Sequence, residues 1–337
     1  MAKIRVAING FGRIGRSAFK IAFEKKSMAI VAVNDLTDAR TLAHLLKYDT
    51  AYGIYEQAVS WDDGYLIVEK KKIPVLSIKE PKDLPWRDMK VDVVLECTGI
   101  WTRDGAAKQH LMAGARRVIV SAPTSGTGGI KTFLLGVNDK KYKDDNVISN
   151  ASCTTNCIGP VAQIILENCG IKKAMMTTVH SYTADQNLQD APHKDLRRAR
   201  AAAANIVPTT TGAAIATTEA IPELKNKFDG IAIRVPTITG SLTDFTFLVE
   251  RSVTVDEINQ IFRDAAGSPR YRDILAVTEA PIVSSDVIGS TDSAIVDLGF
   301  TRVVGGDLVK VLAWYDNEWG YANRLVEQIE IVAKYCN

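Results

Sequence analysis

The sequence predicts an α/β protein in two parts. Residues 1–151, completed by a C-terminal helix over 319–337, form a doubly wound parallel sheet. Residues 152–318 form an α+β catalytic domain with a mainly antiparallel sheet. Three observations predict this. Short continuous apolar runs alternate with helical periodicity in the first half. A turn with regularly spaced glycines joins the first run to the first helix. Beyond residue 150, strand-like runs succeed one another with few helices between. A length of 337 residues, at roughly 150 per domain, fits two domains.

Residues 4–8 are apolar and β-branched with a single charge, and Asn9-Gly10 bounds them, so they predict a buried strand. Ile14, Ala18, Ile21 and Ala22 then recur at helical spacing. Residues 29–34 are a second strand ending at Asp35, which completes a right-handed, parallel βαβ unit. Further buried strands are predicted at 91–97, 117–121 and 147–149, with helices at 39–48 and 106–113. After a helix over 154–169, strands are predicted at 174–180, 230–236, 244–250, 294–297 and 308–315, with helices at 211–220 and 255–266 on one face. The tail 319–334 carries Ala322, Val326, Ile329 and Ala333 on one helical face. There are no internal repeats.

Composition narrows the function classes. Apolar residues at 46% and charged residues at 24% match globular domains and argue against long disorder. A net charge of +2 provides no field for nucleic acid as primary ligand or for an anionic membrane. No apolar run approaches the ~18 residues of a membrane span, and the N-terminus leads straight into a strand rather than a secretory segment. Five cysteines, an odd number without metal-site spacing, predict reduced thiols in a cytoplasm and no metal.

Gly10-x-Gly12-x-x-Gly15 follows a strand, opens a helix, and precedes an acidic residue, Asp35, by 20 positions. That context is the Rossmann-type dinucleotide fingerprint. The first glycine makes the tight turn, the second admits the pyrophosphate, and the third lets helix and strand approach. The helix N-terminus offers N–H groups to the phosphates. Asp35 can accept from ribose hydroxyls and repels a 2′-phosphate, which favours NAD over NADP; its competing role is a helix cap.

Cys153 falls where a strand passes into a helix, in Ser149-Asn150-Ala151-Ser152-Cys153-Thr154-Thr155-Asn156-Cys157. A helix N-terminus stabilises a thiolate, which predicts a lowered thiol pKa and a candidate nucleophile. Simple packing is the alternative. Cys157, one turn on, is expected to be buried. His180 ends a strand and is a candidate partner for the thiol. The basic run 193–200 reads either as a solvated face or as a clamp for an anion. Thr209-Thr210-Thr211-Gly212 before a helix is a second candidate anion site, and Arg234 inside a strand should be paired or face a polar cleft.

With these residues in view, the chain closely resembles the phosphorylating glyceraldehyde-3-phosphate dehydrogenases along its full length. The resemblance runs from Asn9-Gly10-Phe11-Gly12-Arg13-Ile14-Gly15-Arg16 to Trp314-Tyr315-Asp316-Asn317-Glu318-Trp319-Gly320-Tyr321. It is most specific at 149–157, His180-Ser181-Tyr182-Thr183, 192–200 and Thr210-Thr211-Gly212-Ala213-Ala214. It implies Cys153 as the nucleophile that attacks the aldehyde, with His180 holding it as thiolate, acting as base for the hemithioacetal hydroxyl and later serving as acid. Thr183, Arg198 and Arg234 would bind the C3 phosphate of the substrate, glyceraldehyde 3-phosphate. Ser152, Thr154, Thr211 and Gly212 would bind inorganic phosphate. The cofactor would be NAD, held by Gly10, Gly12, Arg13, Ile14, Gly15, Asp35 and Lys79, with Ser121 on the nicotinamide-ribose side and Asn317 on the carboxamide. Residues 182–203 resemble the loop that lines a neighbouring subunit's cofactor site, which implies a homotetramer.

The sequence departs from the family's pattern at Lys79, often Arg, at Ala184, commonly Asn, and at Ala191-Pro192, usually Leu-Pro. These positions bear on how strictly NAD is preferred. Ile215 replaces a usual Lys, and Ile238-Thr239-Gly240 replaces a usual Pro-Asn-Val in a loop expected near the anion sites. Within the same resemblance the alternative substrate is erythrose 4-phosphate. Thr183 and 210–212 favour the triose.

Overall fold

The computed structural model describes residues 2–336. The chain separates into two compact units. The first takes in the chain as far as Phe133, Tyr142–Ala151 and the tail from Ala322; the second takes in Leu134–Lys141 and Ser152–Tyr321.

The first unit contains β1 (Ile4–Asn9), α1 (Arg13–Glu24), β2 (Met28–Asn34), α2 (Ala39–Lys47), β3 (Tyr48–Asp49) and β4 (Gly53–Ile54). It continues with β5 (Val59–Asp62), β6 (Tyr65–Val68), β7 (Lys71–Leu76), β8 (Val93–Glu96), α3 (Gln109–Met112), β9 (Arg117–Val120), β10 (Lys131–Thr132) and β11 (Val147–Ser149). Nine strands form one sheet in the order β10-β11-β9-β8-β1-β2-β7-β6-β5. It is parallel from β10 through β7. The central strands are covered on both faces, so Val6, Ala7 and Ile8 and the run Val93, Val94 and Leu95 are wholly buried.

Two parts of this unit differ from the sequence expectation. The edge β5-β6-β7 is antiparallel and extends the sheet beyond the parallel core. The helix expected over 106–113 is a 3-10 turn, Ala106–Lys108, followed by the single turn of α3. Gly105 before it is left-handed (φ 74°) and Gly114 after it has φ 103°, which leaves room for little more.

The second unit contains α4 (Cys153–Cys169), β12 (Lys173–Ser181), β13 (Val207–Thr210), α5 (Ala213–Ala220), β14 (Phe228–Val235), β15 (Ser241–Leu248), α6 (Val255–Gly267), β16 (Leu275–Thr278), β17 (Ala294–Val304) and β18 (Leu308–Tyr315). The start of α7 (Trp319–Val332) also belongs to it. The sheet order is β13-β14-β12-β15-β18-β17-β16. The pairs β12/β14 and β16/β17 are parallel and the others antiparallel. Period-two alternation divides its faces. Met176, Thr178, His180, Phe245, Phe247, Val311 and Tyr315 are buried, and α4 packs across β15, β17 and β18. Truncating Phe245 or Phe247, both 0% exposed and stacked 5.5 Å apart, would cost about 3–5 kcal/mol.

Candidate active site

In the first unit, a cleft of about 420 Å³ opens at the carboxyl ends of β1 and β2, lined among others by Gly10, Gly12, Asp35, Lys79, Thr98 and Trp101. The glycines are there for steric reasons. A Cβ on Gly15 would stand 2.1 Å from the Gly10 carbonyl oxygen, and one on Gly10 (φ 89°) 2.7 Å from Thr98 N. A Cβ on Gly12 would meet nothing within 4 Å, so its backbone is open to an approaching group. No side chain caps α1, as suits a helix end that serves an anion. Asp35 is not a helix cap; Asp38 caps α2. Asp35 accepts the N–H of Phe11 (2.8 Å) and of Thr37 (3.0 Å), one on each oxygen. Each oxygen keeps lone-pair capacity for a ribose hydroxyl. The Arg13 guanidinium is turned to Asp49 (2.7 Å) and the face of Tyr52, so what this residue and Ile14 bring to the turn is backbone. Ser121 follows β9 and lies beside the Cys97 thiol of the cleft. This cradle fits a dinucleotide.

Ala151, the residue of the first unit just before Ser152, has φ 52° and is wholly buried. This left-handed step turns the chain from β11 into α4. Ser152 caps α4, its Oγ accepting the Thr155 N–H (3.1 Å), so Cys153 is the first helical residue. Cys153 Sγ lies 3.4 Å from His180 Nε2. His180 Nδ1 is 2.6 Å from the Ser181 carbonyl, which can only accept. The ring proton therefore sits on Nδ1, and bare Nε2 faces the sulfur. Burial pushes the Cys153 thiol up, with Arg234, the Thr154 hydroxyl and backbone N–H groups pulling the other way. Burial, then the Arg234 charge, pushes His180 down to about 3, against the Ser181 bond. The thiol was expected to be lowered by the helix end. Its polar neighbours act in that direction, but desolvation outweighs them. Cys157 is fully buried and its thiol is pushed up by burial, so it is inert.

The parallel register of β12 and β14 sets Arg234 directly beside His180. Arg234 donates to Thr183 Oγ1 (3.0 Å) and the Ser181 carbonyl (3.3 Å), while its buried Nε has no partner. Arg198 is held by Asp185, Thr209 Oγ1 (2.9 Å) and the Thr210 carbonyl (3.1 Å), whereas Lys194, Arg197 and Arg200 of the basic run are exposed. Thr211 Oγ1 accepts the Ala213 N–H (3.1 Å), and Gly212 opens α5 with no side-chain cap. Thr154 differs from its expected use. Its hydroxyl is 4% exposed and bonded to Tyr315 Oη (2.9 Å), which leaves its backbone as the group able to meet an anion.

Asn317 is buried, its Oδ1 accepting from Ser241 Oγ (2.8 Å) and Thr239 Oγ1 (3.2 Å). The Ile238-Thr239-Gly240 loop, expected near the anion sites, reaches Asn317 through Thr239 and accepts from Ser181 Oγ at the Gly240 carbonyl (3.2 Å). Sequence reasoning also missed Tyr315 and Asp185. Tyr315 Oη joins Thr154 to Thr178 (2.8 Å), and its ring meets His180 edge-on at 6.1 Å. Its signal was the inward alternation of β18. Asp185 carried none, because its partner Arg198 is met only through the folded loop.

A dinucleotide cradle on a doubly wound sheet and a thiol held against a bare imidazole nitrogen define an NAD-dependent oxidoreductase that acts on an aldehyde. Residues 4–104 match the family described as glyceraldehyde 3-phosphate dehydrogenase, NAD binding domain, and residues 152–317 match its C-terminal domain. The chain is 53% identical over 327 residues to glyceraldehyde-3-phosphate dehydrogenase 2 of Streptomyces avermitilis, covering 96% of this chain and 97% of that one. It is 52% identical over 340 residues to the glyceraldehyde-3-phosphate dehydrogenase of Mycolicibacterium smegmatis, covering 98% and 99%. The chain belongs to the glyceraldehyde-3-phosphate dehydrogenase family. These names do not favour the erythrose 4-phosphate alternative.

Proposed function

We propose that this protein oxidises glyceraldehyde 3-phosphate with NAD and phosphorylates the product to 1,3-bisphosphoglycerate. The observation that carries the reading is Cys153 Sγ at 3.4 Å from the unprotonated Nε2 of His180. His180 Nε2, facing the sulfur, takes the thiol proton as sulfur adds to the aldehyde carbon, and the protonated ring then delivers a proton to the new alkoxide. The thiohemiacetal must lose a hydride and its hydroxyl proton. His180 takes that proton, help of a kind worth about 10²–10⁴-fold. NAD, when bound, accepts the hydride. The resulting thioester keeps the energy of oxidation, and attack by phosphate breaks the C–S bond to release the acyl phosphate. His180 returns its proton to the departing sulfur.

Two anion sites are required. Arg234 with Thr183, and Arg198 on its clamp, supply charge for the C3 phosphate. Ser152, the Thr154 backbone, Thr211 and Gly212 supply hydroxyl and N–H donors for the inorganic phosphate. Gly10, Gly12, Arg13, Ile14, Gly15, Asp35, Lys79 and Ser121 hold the dinucleotide, and Asn317 its carboxamide. The working enzyme is a homotetramer of the cytoplasm. In support, the sheet face opposite α4 leaves Met175 (59%), Ile231 (48%) and Val304 (63%) exposed, and the 182–203 loop exposes Leu188 and Leu196. No helix among the described residues is long and apolar enough to cross a membrane.

The test is NADH formation from the triose with and without inorganic phosphate, repeated with erythrose 4-phosphate and with NADP. Turnover should require phosphate and prefer the triose and NAD. Sustained turnover without phosphate, releasing the free acid, would overturn the phosphorylating assignment.

A further inference from the structure

The polar interior of the second unit holds a pair of hydroxyls that the mechanism above does not use. Thr239 and Ser241 are 2% and 1% exposed and flank Gly240, whose φ of 89° and position allow no side chain: a Cβ there would stand 2.1 Å from the Ser284 carbonyl oxygen. The glycine lets both hydroxyls turn onto one amide, that of Asn317.

Counting protons orders this cluster. Ser241 Oγ accepts the Ser181 N–H (3.2 Å), and its own proton points to Asn317 Oδ1 at 2.8 Å. Thr239 has one proton and two oxygens in reach, Asp316 Oδ1 at 2.9 Å and Asn317 Oδ1 at 3.2 Å. Asp316 is an acceptor only; it also takes the N–H groups of Gly289, Glu318 and Trp319. A carboxylate is the stronger acceptor, so the Thr239 proton goes there. Ser241 alone then decides which way round the Asn317 amide stands. With Oδ1 toward Ser241, the face left for a ligand is the donor, Nδ2.

We propose that Ser241 is a positioning residue that fixes Asn317 as a hydrogen-bond donor, so that the enzyme selects the carbonyl oxygen of the cofactor's carboxamide and not its amino group. This rests on the reading that Asn317 holds the carboxamide. Without the Ser241 proton, Thr239 Oγ1 is left as an acceptor for Nδ2, and the amide reverses.

The test is equilibrium binding by calorimetry to the intact enzyme of NAD, 3-acetylpyridine adenine dinucleotide, which keeps the carbonyl and lacks the amino group, and thionicotinamide adenine dinucleotide, whose sulfur is a weak acceptor. The native enzyme should bind the acetylpyridine analogue much like NAD and the thio analogue about three- to tenfold more weakly, the value of one hydrogen bond. In Ser241→Ala this order should vanish or reverse. If Ser241→Ala keeps the native order while Asn317→Ala loses it, the role of Ser241 is overturned. If Asn317→Ala keeps it as well, the reading of Asn317 falls too. Should Ser241→Ala not fold, Ser241→Cys, with a weak donor of similar shape, should show a reduced preference; the full native preference would overturn the proposal.

Discussion

Acidification of the ligand-free enzyme probes His180 directly. The ring is 4% exposed, and burial and Arg234 push it down to about 3. At pH 5 an ordinary imidazole, with a pKa near 6.5, would have about thirty protonated rings for each neutral one. A ring at about 3 would be about 1% protonated. The sign for stability follows. The unfolded chain binds this proton first, so the native state is at full strength above pH 6.5 and weakens as pH falls from there toward about 3. At about 1.4 kcal/mol per pH unit the loss at pH 5 is about 2 kcal/mol. The assay is nuclear magnetic resonance of histidine-labelled protein, with the His180 signal assigned by its absence in His180→Asn. That signal should not move between pH 8 and pH 5. In denaturant titrations, the wild type should lose about 2 kcal/mol more than His180→Asn over that range. In Arg234→Leu, which removes the second cause of the depression, the ring should titrate at higher pH. A wild-type midpoint near 6.5 would refute the depression of the ring by burial and Arg234.

Other expectations concern single side chains. Cys153→Ser should abolish turnover and leave NAD affinity, measured by calorimetry, within a few-fold of wild type; loss of NAD binding would count against the assignment of the nucleophile. Tyr315→Phe removes the hydroxyl between Thr154 and Thr178, 4% and 1% exposed, and should cost about 1–3 kcal/mol in denaturant titrations. An unchanged midpoint would mean that water replaces it. Asp35→Ala should raise KM for NAD and improve kcat/KM for NADP, because the carboxylate that repels a 2′-phosphate is gone; undiminished discrimination would place selectivity elsewhere. Gly15→Ala should abolish NAD binding or folding, since its Cβ would sit 2.1 Å from the Gly10 carbonyl oxygen, and a normal variant would refute the close-approach argument.

The glycine turn was legible because Gly10 and Gly15 have no alternative residue, and backbone geometry of that kind leaves a fixed spacing in the sequence. The buried parallel strands were legible for a similar reason: a strand covered on both faces must be apolar throughout. The β5-β6 hairpin was missed although Asp63-Gly64 between alternating runs signals one; the flanking charges Asp62, Glu69 and Lys70 masked the alternation. Cys153 and His180 could each be suspected from an element end, but the 3.4 Å approach of the start of α4 to the end of β12 is a tertiary placement that no local pattern records. The direction of the thiol shift was misjudged for the same reason: a helix end is visible in sequence, whereas the extent of desolvation is a property of the whole packed site. Ser241 escaped notice because proton order among hydroxyls depends on tenths of an ångström.

The left-handed joint at Ala151 has a bearing on what this scaffold can become. The position of the reactive atom is set by main chain, through a wholly buried alanine at φ 52° and a serine cap, and owes nothing to the chemistry of the atom itself. Another nucleophile of similar size could be installed at 153 without moving the platform beneath it. A branched side chain two residues earlier, remote from any reacting bond, would tilt the entire platform. Evolution is therefore freer to change the tool than the hinge that aims it.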